Sequence, residues 1–133
     1  SPVPLYASNA QSVFVKGTTK PENKIDYIEF PTSDIPRVRE FYTAVSGWKF
    51  EDYGPGYTSF SDGRISGGFT LERYTPSRSL IVVLYASDLA AVEKKIKAAG
   101  GTIVKETFSF PGGRRFHFTD QSGNELAVWS DVE

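Results

Sequence analysis

Apolar and polar residues alternate from Ile25 to Pro31, the two-residue period of a strand. Behind it, Ile35, Val38, Phe41, Tyr42 and Val45 recur at helical spacing. Asp34 is placed to cap that helix, and Pro36 falls in its first turn, where a missing N–H has no partner to lose. Gly47 predicts the stop. Trp48 to Tyr53, Tyr57 to Ser61 and Ile65 to Leu71 then read as three strands, separated by the turn signals Gly54-Pro55-Gly56 and Asp62-Gly63. The same order starts again. Ser79 to Tyr85 predicts a strand, Asp88 a cap, and Leu89, Val92, Ile96 and Ala99 one face of a helix that Gly100-Gly101 ends. Thr102 to Phe108, Arg114 to Thr119 and Glu125 to Trp129 predict three more strands, with turns at Pro111-Gly112-Gly113 and Asp120 to Asn124.

The two halves match residue by residue. Ser33-Asp34-Ile35 pairs with Ser87-Asp88-Leu89, an offset of 88 − 34 = 54. Val38 pairs with Val92, Ala44 with Ala98, Gly47 with Gly101 and Phe50 with Val104. After one four-residue difference in length, Phe60 and Asp62 pair with Phe118 and Asp120. An internal period of this kind decides the architecture. It predicts an α+β fold of two tandem β-α-β-β-β modules, residues 24–73 and 79–131, within one domain spanning 24–133. Residues 1–23 lack a pattern and are punctuated by Pro2, Pro4, Gly17 and Pro21, so they read as an arm or linker. Only Gln11 to Val15 in that arm has the look of a short strand. The arm is either loose or packs on a partner.

Composition narrows the function. The 133 residues suit one domain with a core that needs no staples. Lys and Arg number 15 against 16 Asp and Glu, so no basic excess exists to neutralise a nucleic-acid backbone. With no cysteine, a disulfide framework, a Cys-ligated zinc and a cysteine nucleophile are excluded. The longest apolar run, Leu80 to Tyr85, is far short of a membrane span. The chain carries no methionine, so Ser1 is not a translated start; a cleaved leader, a removed tag or a trimmed sequence all fit, and a cytoplasmic location is the expectation.

Asp34 behind a strand, Phe41-Tyr42, Gly47-Trp48 and the closing Asp120-Gln121-Ser122-Gly123-Asn124 resemble the vicinal oxygen chelate superfamily, the glyoxalase I, bleomycin-resistance and extradiol-dioxygenase group. The resemblance covers Lys24 to Asp131. It implies a mixed sheet curved into a cup and a homodimer. It does not imply one chemistry, because the fold hosts isomerases, dioxygenases, thiol transferases and drug-binding proteins.

Strand alternation assigns the faces. With Ile28, Phe30, Thr58, Phe60, Val82, Leu84, Phe116, Phe118, Leu126 and Val128 packed against the helices, the cup receives Tyr27, Glu29, Tyr57, Ser59, Ile81, Val83, Tyr85, Arg115, His117, Thr119, Glu125, Ala127 and Trp129. The resemblance puts metal ligands of metal-dependent members at Tyr27, Gly67 (or Gly68), Ile81 (or Val82) and Ala127. Gly, Ile and Ala offer no donor, and tyrosine is a poor ligand for most divalent ions. A standard glyoxalase I or dioxygenase is therefore not expected, and neither a metal nor another cofactor.

What remains is organic chemistry. His117, the only histidine, is the one side chain whose ordinary pKa suits acid/base work at neutral pH. With Glu125 it is the candidate catalytic pair; the alternative is a histidine that lines the cup. Glu29 and Arg115 are a candidate ion pair, either at the site or at the cup rim, and Tyr27, Tyr57, Tyr85 and Trp129 are either an aromatic ligand lining or core packing. Ser66-Gly67-Gly68 and the other glycine-rich stretches read as turns, not phosphate loops. Arg114-Arg115 reads as an anion site or a solvated hairpin, and Lys94, Lys95 and Lys97 as a solubilising helix face. The leading expectation is a metal-independent binding protein for a small organic ligand. The alternative is a metal-free lyase or isomerase using His117 or Glu125, with Arg115 or Tyr27 steadying an oxyanion. A third possibility is an interaction module whose arm is the working part.

Overall fold

The computed structural model describes residues 20–72 and 80–132. Strand β1 (Ile25–Pro31), helix α1 (Ile35–Ser46) and strands β2 (Lys49–Asp52), β3 (Tyr57–Ser61) and β4 (Ser66–Thr70) form the first module. Strand β5 (Ile81–Tyr85), helix α2 (Leu89–Ala98) and strands β6 (Thr102–Phe110), β7 (Gly113–Thr119) and β8 (Glu125–Ser130) form the second. The helices begin 89 − 35 = 54 residues apart, the predicted offset. Both predicted caps form: the Asp34 carboxylate accepts from the Arg37 N–H at 2.9 Å, and the Asp88 carboxylate from the Ala91 N–H at 3.0 Å. Gly47 ends α1 in the left-handed region at φ 67°, which a side chain would strain.

All eight strands of the described residues join one sheet in the order β2-β3-β4-β1-β5-β8-β7-β6. The modules meet at the antiparallel β1–β5 pair, while β1–β4 and β5–β8 run parallel. This mixed sheet carries both helices on one face. Against α1 pack Phe30, Trp48, Phe50, Phe60 and Phe69; against α2 pack Leu84, Ile103, Phe116, Phe118, Leu126 and Val128. In the first layer the rings stack closely, with centroids 4.5 Å apart for Tyr42–Trp48 and 4.4 Å for Trp48–Phe60. The opposite face is the cup. It holds a separate apolar cluster of Tyr27, Tyr57, Ile81, Val83, Tyr85, Ala127 and Trp129. Two-residue alternation is the reason: each strand that sends an aromatic to a helix sends its next side chain to the cup.

Several boundaries differ from the expectation. Trp48 and Tyr53 lie outside β2, because Trp48 turns in to stack under α1. Strand β6 runs on to Phe110, carried past Phe108 by pairing with β7 through two register shifts. Ser66-Gly67-Gly68 lies within β4, paired on both sides, which follows the strand pattern of Ile65 to Leu71 and overturns the reading of the glycines as a turn. A Cβ on Gly67 would meet the Ile28 carbonyl and the Phe60 ring, so glycine here serves close approach inside a strand. The predicted Gln11 to Val15 strand and Ser79 lie outside the described residues. Of the arm, Glu22 accepts from the Ser87 N–H at 3.0 Å, and Asn23 donates to the Tyr85 carbonyl at 2.7 Å. Among the described residues no helix is long and apolar enough to cross a membrane.

Candidate functional site

A chain of polar side chains crosses the cup floor. Arg115, on β7, donates from a terminal guanidinium nitrogen to Glu29 Oε1, on β1, at 3.1 Å. In the sheet order the two residues are three strand spacings apart, about 14 Å on a flat sheet, so both long arms must reach over β5 and β8. Arg115 Nε donates to His117 Nε2 at 3.1 Å. His117 Nδ1 stands 3.0 Å from Glu125 Oε2. Since Nε2 accepts, the neutral ring carries its proton on Nδ1, which donates to Glu125. The His117–Glu125 contact is then a hydrogen bond to a carboxylate rather than an ion pair.

Burial sets the electrostatics. Arg115 is 1% exposed, Glu29 2% and His117 0%. Burial, then the Arg115 charge, then the Lys105 charge hold His117 down to about 2. Burial pushes the Glu125 carboxyl up, against the pull of Lys105 and Arg115. Glu29 and Arg115 are thus fully inside the protein, not at a rim or on a solvated hairpin as either alternative had it. Arg115 meets Glu29 through one oxygen only. The second, Glu29 Oε2, is buried and has no hydrogen-bond partner.

The aromatic candidates Tyr27, Tyr57, Tyr85 and Trp129 share one buried cluster on the same face. The hydroxyls of Tyr27 and Tyr57 are 2.7 Å apart. Tyr85 donates to Asp131 at 2.6 Å, and the Trp129 indole N–H donates to Asp26 at 2.9 Å. Tyr85 and Trp129 meet edge to face. Sequence reasoning missed Phe108 and Lys105. The Phe108 ring lies 5.9 Å from the His117 ring and 5.7 Å from the Arg115 guanidinium, while Lys105 pairs across β6–β7 with His117. The Phe108-Ser109-Phe110 alternation was the available signal; the register shifts in β6 hid which face it served. Lys94, Lys95 and Lys97 are exposed, as expected.

The four positions at which the resemblance would put metal ligands converge. Tyr27, Ile81 and Ala127 share one buried cluster, and Gly68 faces it. A Cβ on Gly68 would collide with the Tyr57 ring and hydroxyl and come within 2.7 Å of the Tyr27 hydroxyl. The space beside Gly68 is therefore filled by the tyrosine pair, and the only oxygen donor among the four, Tyr27, is already bonded to Tyr57. No group of three or more His, Cys, Asp or Glu among the described residues could hold an ion. This donor set does not fit a divalent metal.

A family model described as Glyoxalase/Bleomycin resistance protein/Dioxygenase superfamily matches residues 24–128. Among solved structures, methylmalonyl-CoA epimerase from Mycobacterium tuberculosis is similar at 13% identity and a TM-score of 0.61, over 90% of this chain and 96% of the epimerase chain. A superfamily member from Vibrio splendidus 12B01 is similar at 10% identity and a TM-score of 0.63, over 81% and 98%. The Mn(II)-bound glyoxalase from Novosphingobium aromaticivorans is similar at 20% identity and a TM-score of 0.61, over 84% of this chain and 40% of that one. At these identities the likeness is one of fold. No match was found among curated proteins.

Proposed function

Because the chain belongs to the Glyoxalase/Bleomycin resistance protein/Dioxygenase superfamily, we propose that it is a metal-independent member that holds a small organic molecule in its cup, as a homodimer. The observation that carries this reading is the buried Glu29–Arg115–His117–Glu125 chain. A buried ion pair is a poor source of stability, since apolar side chains of the same volume serve a core as well or better. Charges and hydrogen-bonding groups gathered together on one buried face are a usual mark of a binding site. The aromatic wall beside them suits the body of an organic ligand. Among the described residues β2 and β6 end the sheet, and strand edges of that kind suit pairing with a second copy.

The test is a library of small aromatic and polar molecules screened by NMR on isotope-labelled protein. Binders that shift the backbone amides of Tyr27, Glu29, Arg115 and Trp129 support the reading. Binders confined to the helix face, or none at all, sink it.

The second reading is a metal-free lyase or isomerase. Glu125 favours it, being a carboxylate with a raised pKa and a side chain 14% exposed, whereas His117 offers no free ring nitrogen. In that reading Glu125 is the base, His117 positions it, and Arg115 or Tyr27 steadies an oxyanion. Turnover of a cup ligand that survives Glu125→Gln would remove it.

A further inference from the structure

Among the described residues only two buried side-chain atoms lack a hydrogen-bond partner: Arg114 Nε and Glu29 Oε2. By strand alternation Arg114 points to the helix face of β7, away from the cup. Glu29 Oε2 is on the cup face. Its residue is 2% exposed, and its other oxygen takes the single bond from Arg115. An acceptor shut away from water with nothing to accept is costly, and natural proteins keep such groups where something else completes them. Its surroundings leave that partner to come from outside the sheet. Across β1–β4, Glu29 is in register with Gly68, which has no side chain, and the Tyr27 and Tyr57 hydroxyls beside Gly68 bond to each other and make no bond to Glu29 Oε2; across β1–β5 it is in register with Ile81, which has no donor. Arg115 already serves both Glu29 Oε1 and His117 Nε2.

We infer that Glu29 Oε2 is a recognition point for an N–H-bearing cationic head group, of the amidine, guanidine or ammonium class, on a ligand whose apolar body lies against the cup aromatics. The inference rests on the cup-binding reading and adds the polarity of the ligand to it. The charge pattern agrees. Of the groups in the polar chain, Glu29 and Glu125 are carboxylates, Arg115 is one cation shared between Glu29 and His117, and His117 is a neutral ring; Lys105 stands on the far side, beside His117. The end of the chain at Glu29 thus presents an unpaired acceptor, and its carboxylate repels an anion. A Coulombic partner in a buried site gains more than the same pair in water, so a cation with a donor is the ligand that gains most.

Three probes with one phenyl body test this: benzamidine, benzyl alcohol and benzoate, titrated by NMR on the full chain with the cup amides as the readout. Benzamidine is expected to bind at least about tenfold more tightly than benzoate, with benzyl alcohol between them. In Glu29→Gln, with the amide oxygen kept toward Arg115, an –NH2 donor replaces the unpaired acceptor. The benzamidine-to-benzoate ratio should then fall by about tenfold or more. Should that variant fail to fold, the wild-type ratio decides alone. Benzoate binding in the cup as tightly as benzamidine overturns the inference and leaves the cup-binding reading standing. An unchanged ratio in folded Glu29→Gln does the same. Binding of all three outside the cup, or none at about 10 mM, overturns both, because fragments that fit a site bind in the millimolar range.

Discussion

Arg115 Nε donates to His117 Nε2 across 3.1 Å, so the single histidine of this chain is a hydrogen-bond acceptor on one side and a donor on the other. A ring held in this way has no lone pair for a proton. Its C–H resonances should stay flat from pH 8 to pH 4, where a free imidazole would titrate near 6.5. An inflection between pH 6 and 7 would show that the Arg115–His117 bond is not kept in solution.

The same residue sets a pH dependence of stability. His117 is depressed to about 2 in the folded protein, so below pH 6.5 the unfolded chain takes up a proton that the folded one refuses. The stability contributed by the neutral ring is fully present above pH 6.5 and is lost as pH falls, with a slope approaching about 1.4 kcal/mol per pH unit. Glu125, pushed up by burial, works in the opposite direction and blunts that slope. Urea unfolding at pH 7.5, 6.5, 5.5 and 5.0 measures it, above the range in which Asp62 and Asp120, both lowered by local hydrogen bonds, titrate. His117→Gln should flatten the profile.

The Glu29–Arg115 pair should behave as a buried pair does. Arg115→Met alone leaves an uncompensated carboxylate and should cost about 3–5 kcal/mol, whereas Glu29→Met with Arg115→Met should recover most of that. Chemical denaturation of the two variants and the wild type reads the difference. A double variant as unstable as the single one would mean that the pair supports the fold rather than a ligand.

Much of this architecture is legible in the sequence. The caps at Asp34 and Asp88 and the 54-residue offset are local signals, carried by a few side chains each. The strand faces are legible as well: Tyr27 and Glu29 lie opposite Phe30, and Arg115 and His117 opposite Phe116 and Phe118, because one apolar layer per strand fixes the other. What could not be read was how far side chains reach. The sequence offers Arg115 as the partner of Glu29, but does not say that it spans two intervening strands to reach it, nor that Phe108 comes to rest beside His117 after two register shifts. Gly67 and Gly68 send two signals at once: the Ile65 to Leu71 pattern predicts the strand that forms, while the glycine pair reads as a turn. A glycine that makes room for Phe60 or Tyr57 looks, in sequence, like one that makes a turn.

Gly68 gives a further test. Gly68→Ala would drive a methyl into the Tyr57 ring and hydroxyl, and should destabilise by about 1–3 kcal/mol through overpacking. Gly56→Ala meets nothing within 4 Å and should stay within about 0.5 kcal/mol of the wild type. Thermal unfolding of the pair compares a glycine needed for packing with one that is not. Equal effects would mean that the tyrosine pair does not fill the space beside Gly68.

The most direct measurement is native mass spectrometry of protein purified with neither metal nor chelator added. The expected result is a dimer carrying a small organic adduct, with the adduct lost in the Glu29→Met, Arg115→Met double variant. A stoichiometric divalent ion on the wild type, with no organic adduct, would contradict the account: it would mean that the cup closed at Tyr27, Gly68, Ile81 and Ala127 still holds a metal.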